Sequence, residues 1–175
     1  MKRAIVRAVG ALTLMGAIAA CGDDDAAGLE EVENFVATLT GTSEVPTNAS
    51  TATGVAEIAI VGPTLLFRID VTGLSNPSAA HIHGPADPAT NAGVLVNLCG
   101  ATGVPACPTG APYTGVLTAG TATQVSGISF DSLVVLLRNG NSYVNVHTND
   151  NAGAANTGPG DLANGELRGQ VTVAP

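Results

Sequence analysis

Three histidines are the residues of this sequence whose type and spacing could do chemistry. His81 and His83 stand in the stretch AAHIHGP, and His147 stands far downstream in YVNVHT. On a β-strand, residues i and i+2 point to the same face, so His81 and His83 should project together. If the strand that carries His147 pairs with theirs or faces it, the three imidazoles would converge. Such a set of neutral nitrogens, with a fourth position open, suits copper or zinc.

A structural role is the alternative interpretation of the same histidines. A neutral imidazole donates from one ring nitrogen and accepts at the other, so it can tie a strand to a loop carbonyl or to a carboxylate. The sequence offers Asp87, Asn145, Thr148 and Asp150 as partners. The sequence leaves both interpretations open, because the meeting of three histidines from two distant segments is inferred and not observed.

Two further charged residues lie in short motifs, Glu44 in SEVP and Arg168 in GELRGQ. The planar arginine fork can hold a carboxylate with two hydrogen bonds. We therefore predict a structural ion pair between Glu44 and Arg168 that clamps the first and last strands. The alternatives are that Arg168 receives an anionic ligand group or pairs with Glu166 on its own strand.

The sequence shows no machinery for hydrolase or transferase chemistry. It has no G-x-S-x-G motif, and its single lysine, Lys2, stands at the N-terminus. An enzyme of these classes needs a nucleophile beside a base, or paired carboxylates in an apolar pocket. The sequence therefore favours a protein that is not an enzyme, but it leaves that question open.

The elements that must position these residues are strands. Period-two alternation is clearest in TLLFRIDV, where Leu65, Phe67 and Ile69 share one face and Arg68 and Asp70 the other. The turn at 62–63 separates this strand from GVAEIAIV, and FVATLTG forms an earlier strand. Further strands are predicted over 80–83, 93–98, 113–118, 143–148 and 166–173. Many short strands separated by Gly and Pro predict an antiparallel β-sandwich or barrel.

One segment, DSLVVLLRNGN, departs from the strand pattern. Asp131 is a good N-cap residue and Asn139-Gly140 is a typical helix stop. The segment predicts one short helix near 131–138, although the β-branched Val134 and Val135 leave a strand open.

The N-terminus has the pattern of an export signal. Basic residues open residues 1–20, an apolar stretch follows, and the segment I-A-A ends immediately before Cys21. This resembles the lipobox of bacterial lipoproteins, in which the cysteine carries the lipid; a plain secretory signal is the alternative. Residues 21–33 then form the lipidated cysteine and an acidic tether, and residues 34–175 form the folded domain. Membrane attachment would come from acyl chains on Cys21.

Removal of residues 1–20 would leave three arginines against fourteen carboxylates, a formal net charge of −11. A protein without a basic patch cannot release counterions from phosphates, so nucleic acid is not expected as a partner. Cys99 and Cys107 lie in a Gly- and Pro-rich stretch, and outside the cytoplasm they predict a disulfide. A metal-thiolate pair or a redox couple is the alternative, but the stretch has neither a C-x-x-C motif nor a nearby histidine.

The ordered motifs FVATLTGTSEVP, AAHIHGPA and YVNVHTN followed by NGELRGQV together resemble the CHRD domain, named after chordin. The resemblance spans 35–173. It departs from the family pattern at Thr47, where a second proline is usual, and in the stretches 85–96 and 149–164 beside the histidines.

The resemblance implies an antiparallel Greek-key β-sandwich or barrel, immunoglobulin-like or superoxide-dismutase-like, with no firmly attached catalytic activity. We therefore expect a lipid-anchored binding or structural module of the bacterial cell envelope. Its partner is an unidentified protein or small ligand. Gly22 after the cysteine favours the outer membrane, on its periplasmic or surface side. A copper- or zinc-binding protein, with or without a redox role, is the alternative function.

Overall fold

The computed structural model describes residues 31–175. The predicted signal segment, the lipidation site Cys21 and nearly all of the predicted tether lie outside the described residues. The part of the chain that the structure describes contains no helix both long and apolar enough to cross a membrane.

Residues 31–175 form an antiparallel sheet of nine strands that curls into a nearly closed, barrel-like structure. Along the sheet the strands run in the order β5-β4-β7-β8-β1-β2-β3-β6, and β9 pairs with β1 beside β8. The all-β prediction is confirmed. The bounds of the strands are β1 Val32–Thr40, β2 Thr53–Val61, β3 Thr64–Thr72, β4 Pro77–His83, β5 Val94–Cys99, β6 Tyr113–Thr118, β7 Tyr143–Thr148, β8 Leu167–Gln170 and β9 Thr172–Val173.

Alternation of side chains builds the core, as predicted for β3. Leu65, Phe67 and Ile69 are buried, whereas Arg68 and Asp70 are exposed and bonded to each other at 2.6 Å. The apolar residues of the other strands join this core, which consists mainly of Ala, Val, Ile and Leu. Because the core contains no tryptophan, it is filled by many contacts between smaller side chains.

The predicted C-terminal strand is divided in two. Residue Val171 is fully buried between β8 and β9, and its N–H donates to the carbonyl of Ser142. As a result β8 pairs with β7, while β9 pairs with β1 at Phe35 and Val36.

Two helices lie within the connection between β6 and β7. The predicted helix is present as α2, Phe130–Arg138, and a single turn, α1 Ala119–Ala122, precedes it. The N-cap is Ser129 and not Asp131, because the Ser129 hydroxyl accepts the hydrogen bond from the Ser132 N–H. Asp131 lies in the first turn, where a negative charge is favourable. The helix ends at Asn139, and Gly140 follows with φ of 66°.

The strands β5 and β6 form the two edges of the sheet. A disulfide closes part of the segment that joins them. Cys99 at the end of β5 forms a disulfide with Cys107, which confirms the predicted pairing. The closed loop holds the connection between the two edge strands in place.

Candidate metal centre

The pairing of β4 with β7 brings the three histidines to one face of the sheet. His81 lies opposite Asn145, His83 opposite Tyr143 and His147 opposite Ala79. One nitrogen from each imidazole lies within 4.8 Å of the others. Ile82, between the two histidines of β4, points into the core and is fully buried. The predicted convergence of His81, His83 and His147 is therefore present.

Two of the imidazoles are oriented by backbone carbonyls. Nδ1 of His83 lies 3.0 Å from the Ala92 carbonyl, and Nδ1 of His147 lies 2.9 Å from the Ala163 carbonyl. A carbonyl only accepts, so each Nδ1 carries the proton in the neutral ring and each Nε2 presents a lone pair. Partners of this kind fix the tautomer and the ring orientation of metal-binding histidines.

The third imidazole is held by the second. Nδ1 of His81 lies 3.1 Å from Nε2 of His147. Because that Nε2 has no hydrogen, Nδ1 of His81 is the donor in the neutral cluster. The nitrogens that meet are therefore Nδ1 of His81 and Nε2 of His83 and His147.

Nε2 of His83 is a buried nitrogen without a hydrogen-bond partner among the described residues. A buried acceptor left unpaired costs roughly 1–3 kcal/mol, so a cation or a donor at this point would relieve a real penalty. One nitrogen of this ring lies within 4.8 Å of the nitrogens of the other two imidazoles, and because Nδ1 is bonded to Ala92 we assign Nε2 to the cluster.

Burial keeps the cluster neutral. Desolvation, together with the neighbouring His147 and His83, lowers the pKa of His81 to about 4. Desolvation also lowers the pKa of His83, against the hydrogen bond to Ala92, and lowers that of His147, against the bond to Ala163. At neutral pH all three rings are uncharged, which is the form that binds metal.

Arg168 is the largest fully buried side chain of the described residues. The predicted ion pair between Arg168 and Glu44 is wrong. Among residues 31–175 no ion pair includes Arg168. Its guanidinium donates instead to the carbonyls of Asp87 and Thr90, at 3.0 and 2.7 Å, and to Oδ1 of Asn91 at 2.8 Å. The carbonyls of an irregular loop outcompete the carboxylate.

The Glu44 carboxylate accepts a hydrogen bond from a residue of β7 and not from Arg168. Its Oε1 lies 2.6 Å from Nδ2 of Asn145, the residue opposite His81. Desolvation raises the pKa of Glu44 to about 7, although the Arg168 charge and the Asn145 hydrogen bond lower it. Gly165 allows this contact: it has φ of 132°, and a Cβ there would lie 2.6 Å from Asn145 Nδ2 and 2.8 Å from Glu44 Oε1.

Glu166 is also not a partner of Arg168. Its carboxylate accepts from the hydroxyls of Ser50 and Thr148, at 2.6 and 2.5 Å, and from the Gly160 N–H at 2.7 Å. It anchors the segment 149–165 to the sheet, and this segment supplies the Ala163 carbonyl that orients His147.

Sequence reasoning missed three groups of the site: Tyr143 and the carbonyls of Ala92 and Ala163. The Tyr143 ring stacks on the His83 imidazole, with centroids 4.9 Å apart and planes at 2°. The alternation in YVNVHT places Tyr143 on the face of Asn145 and His147, so this residue could have been found. The two carbonyls could not, since every residue has one.

The donor set fits copper or zinc. Bonds of about 2.0 Å at tetrahedral angles put ligand nitrogens about 3.3 Å apart, close to the 3.1 Å between His81 and His147. One nitrogen of His83 lies within 4.8 Å of these two. The cluster has three nitrogen donors, as catalytic and exchangeable sites do, whereas closed structural zinc sites have four protein ligands.

The chain was compared with models of known protein families. The model of the CHRD domain matches residues 35–158, which include all three histidines but not Arg168. No curated protein matches the chain.

Proposed function

Because the chain belongs to the CHRD domain family, and because three neutral imidazoles converge on one face of its sheet, we propose that it is an extracytoplasmic module that binds a transition metal. His81, His83 and His147 are the ligands. The observation that supports this most is the convergence of one nitrogen from each of the three imidazoles within 4.8 Å of the others. Nε2 of His83, which is buried and has no hydrogen-bond partner among residues 31–175, is available as one of the three donors.

Copper and zinc are the metals that suit the site. Imidazole nitrogens bind both, and divalent copper binds a given nitrogen site more tightly than zinc. Binding requires Nδ1 of His81 to give up its proton, and the same ring can take one at Nε2. The protein's part is to supply three oriented lone pairs and to leave one coordination position for an outside ligand.

The proposal predicts one tight metal per chain. Titration of the purified protein with Cu²⁺ and Zn²⁺ should give a single saturable site. In His83→Ala the affinity should fall by more than the roughly 10–100-fold that outer-sphere changes cost, because a direct ligand is lost. Glu57→Gln, which removes an exposed carboxylate on another strand, is the matched control and should bind as the unmodified protein does.

Equal affinity in His83→Ala and the unmodified protein would move the metal away from this cluster. Binding no tighter than that of a generic histidine peptide would remove the metal function. The chain would then be a CHRD module whose ligand is an unidentified protein or small molecule, with histidines that serve the fold.

We further propose that Cys21 carries a lipid and holds the domain at the bacterial cell envelope, at the outer membrane. The support is the I-A-A-C pattern and the acidic stretch that follows it. Cys21→Ser should move the protein from the membrane fraction to the soluble fraction. Unchanged fractionation of Cys21→Ser would contradict the anchor. Nucleic acid is not an expected partner of so acidic a chain.

A further inference from the structure

Residues 84–93, which we call the histidine loop, begin directly after His83 and return to β5. The Gly84 N–H donates to the Gly93 carbonyl at 3.2 Å, so the two ends of the loop meet. The Ala92 carbonyl near its end is the acceptor for Nδ1 of His83. The position of this carbonyl decides which nitrogen of His83 carries the proton.

The histidine loop has no regular structure, and side chains of β8 hold it against the sheet. Arg168 makes the three bonds to Asp87, Thr90 and Asn91 described above. Gln170, two residues later on the same face, donates to the carbonyls of Ala86 and Gly140 at 2.8 and 2.7 Å. One arginine fork thus fixes the five-residue stretch that leads into Ala92.

A second connection passes through Tyr143. The guanidinium carbon of Arg168 lies 3.5 Å from the centroid of the Tyr143 ring, and that ring stacks on the His83 imidazole. The Tyr143 hydroxyl lies 3.2 Å from the Ala92 N–H and 3.4 Å from the Ala92 carbonyl. Arg168 is therefore connected to His83 by contacts through the histidine loop and by contacts through the stacked Tyr143 ring.

Stability alone is a weak reason for this arginine. A buried charge carries a desolvation cost, and well-packed apolar residues of similar volume are often equally or more stabilising. The hydrogen bonds from Arg168 to three neutral acceptors offset this desolvation cost. Arg168 forms no ion pair among residues 31–175. What the fork supplies that an apolar side chain cannot is several directed bonds to one loop.

We infer that Arg168 is the positioning residue of the histidine cluster: it fixes the histidine loop so that the Ala92 carbonyl holds His83 with Nε2 directed at the site. The inference rests on the proposed metal function for its purpose. Its structural part, the tautomer of His83, is measurable without metal.

The test compares Arg168→Lys with Arg68→Lys in the purified, metal-free protein. Arg68 is exposed and bonded to Asp70, so it is the matched control. Long-range nitrogen–proton NMR should show His83 with its proton at Nδ1 in the unmodified protein and in the control. In Arg168→Lys the compact ammonium lacks the planar fork whose two nitrogens reach the three acceptors, so a mixture of tautomers is expected. The affinity for Cu²⁺ should fall about 10–100-fold, as for other outer-sphere changes.

Asn91→Ala keeps the test decisive if Arg168→Lys does not fold. Asn91 is exposed and supplies one of the three acceptors, and its loss should shift the tautomer and the affinity in the same direction. A lower unfolding midpoint with an unchanged His83 tautomer and unchanged Cu²⁺ affinity in the folded variants would overturn the inference and leave Arg168 a purely structural residue. If the unmodified protein binds no metal, the proposed function fails, while the tautomer still decides the role of Arg168.

Discussion

At the scale of single residues, the account depends on the protonation of three imidazoles. Burial keeps each of them neutral, and two backbone carbonyls decide which nitrogen is free. The convergence of His81, His83 and His147 could be predicted, since alternation along two strands puts each on a known face. The carbonyl partners could not, because any residue offers one. The Glu44–Arg168 pair failed for the same reason: loop carbonyls competed for the guanidinium.

The lowered pKa values predict a weak dependence of metal affinity on pH. Protons compete with metal below the pKa of each ligand, so three ordinary histidines would lose roughly 600-fold in affinity between pH 7 and pH 5.5. His81, with a pKa of about 4, contributes almost nothing to this loss. The pKa values of His83 and His147 are also lowered, so the loss should stay below about 70-fold.

Competition titrations with a chelator at the two pH values measure this ratio. In the metal-free protein the same groups contribute stability above their unfolded pKa, near 6.5, that is lost as the pH falls towards the lowered folded values. A loss of several hundred-fold in metal affinity would show that the histidines are ordinary and that the cluster is not buried in solution.

At the scale of elements, the predicted strands were all present because their alternating patterns match a sheet with one buried face. The details that differed depend on tertiary contacts. The fully buried Val171 lies between β8 and β9, where β8 pairs with β7 and β9 with β1. Ser129 rather than Asp131 caps α2; both residue types are good caps, and only the backbone geometry chooses between them. The order of strands, which places β4 beside β7, could not be read from local sequence.

The disulfide at the β5 edge gives a prediction at this scale. Closing a loop with a sequence separation of 8 between Cys99 and Cys107 should stabilise the fold by about 2–3 kcal/mol in the chain-entropy model. The pair Cys99→Ser with Cys107→Ser should therefore lower the free energy of unfolding by about that amount, measured in urea. Metal affinity should be retained, since neither sulfur belongs to the cluster. An unfolding curve identical to that of the unmodified protein would show that the edge is held by other contacts.

At the scale of the whole molecule, a small acidic β-domain carries one polar face that is covered by two loops. The histidine loop and segment 149–165 lie over β4, β7 and β8, and each supplies a carbonyl to a histidine.

Metal should therefore stabilise the entire fold. A ligand that binds only the folded state adds about 2.7 kcal/mol at 100 times its Kd, which raises Tm by about 5–10 °C for a domain of this size. Thermal unfolding with and without Cu²⁺ or Zn²⁺ should show this shift in the unmodified protein and not in His83→Ala. A shift of equal size in His83→Ala would mean that the metal stabilises the fold from another site.

The most direct measurement of the central claim is X-ray absorption on the protein loaded with one equivalent of copper or zinc. The account predicts three imidazole nitrogens on the metal, at about 2.0–2.1 Å, with one further light atom from solvent. A bound metal with fewer than three imidazoles, or a protein that retains no metal at all, would contradict it.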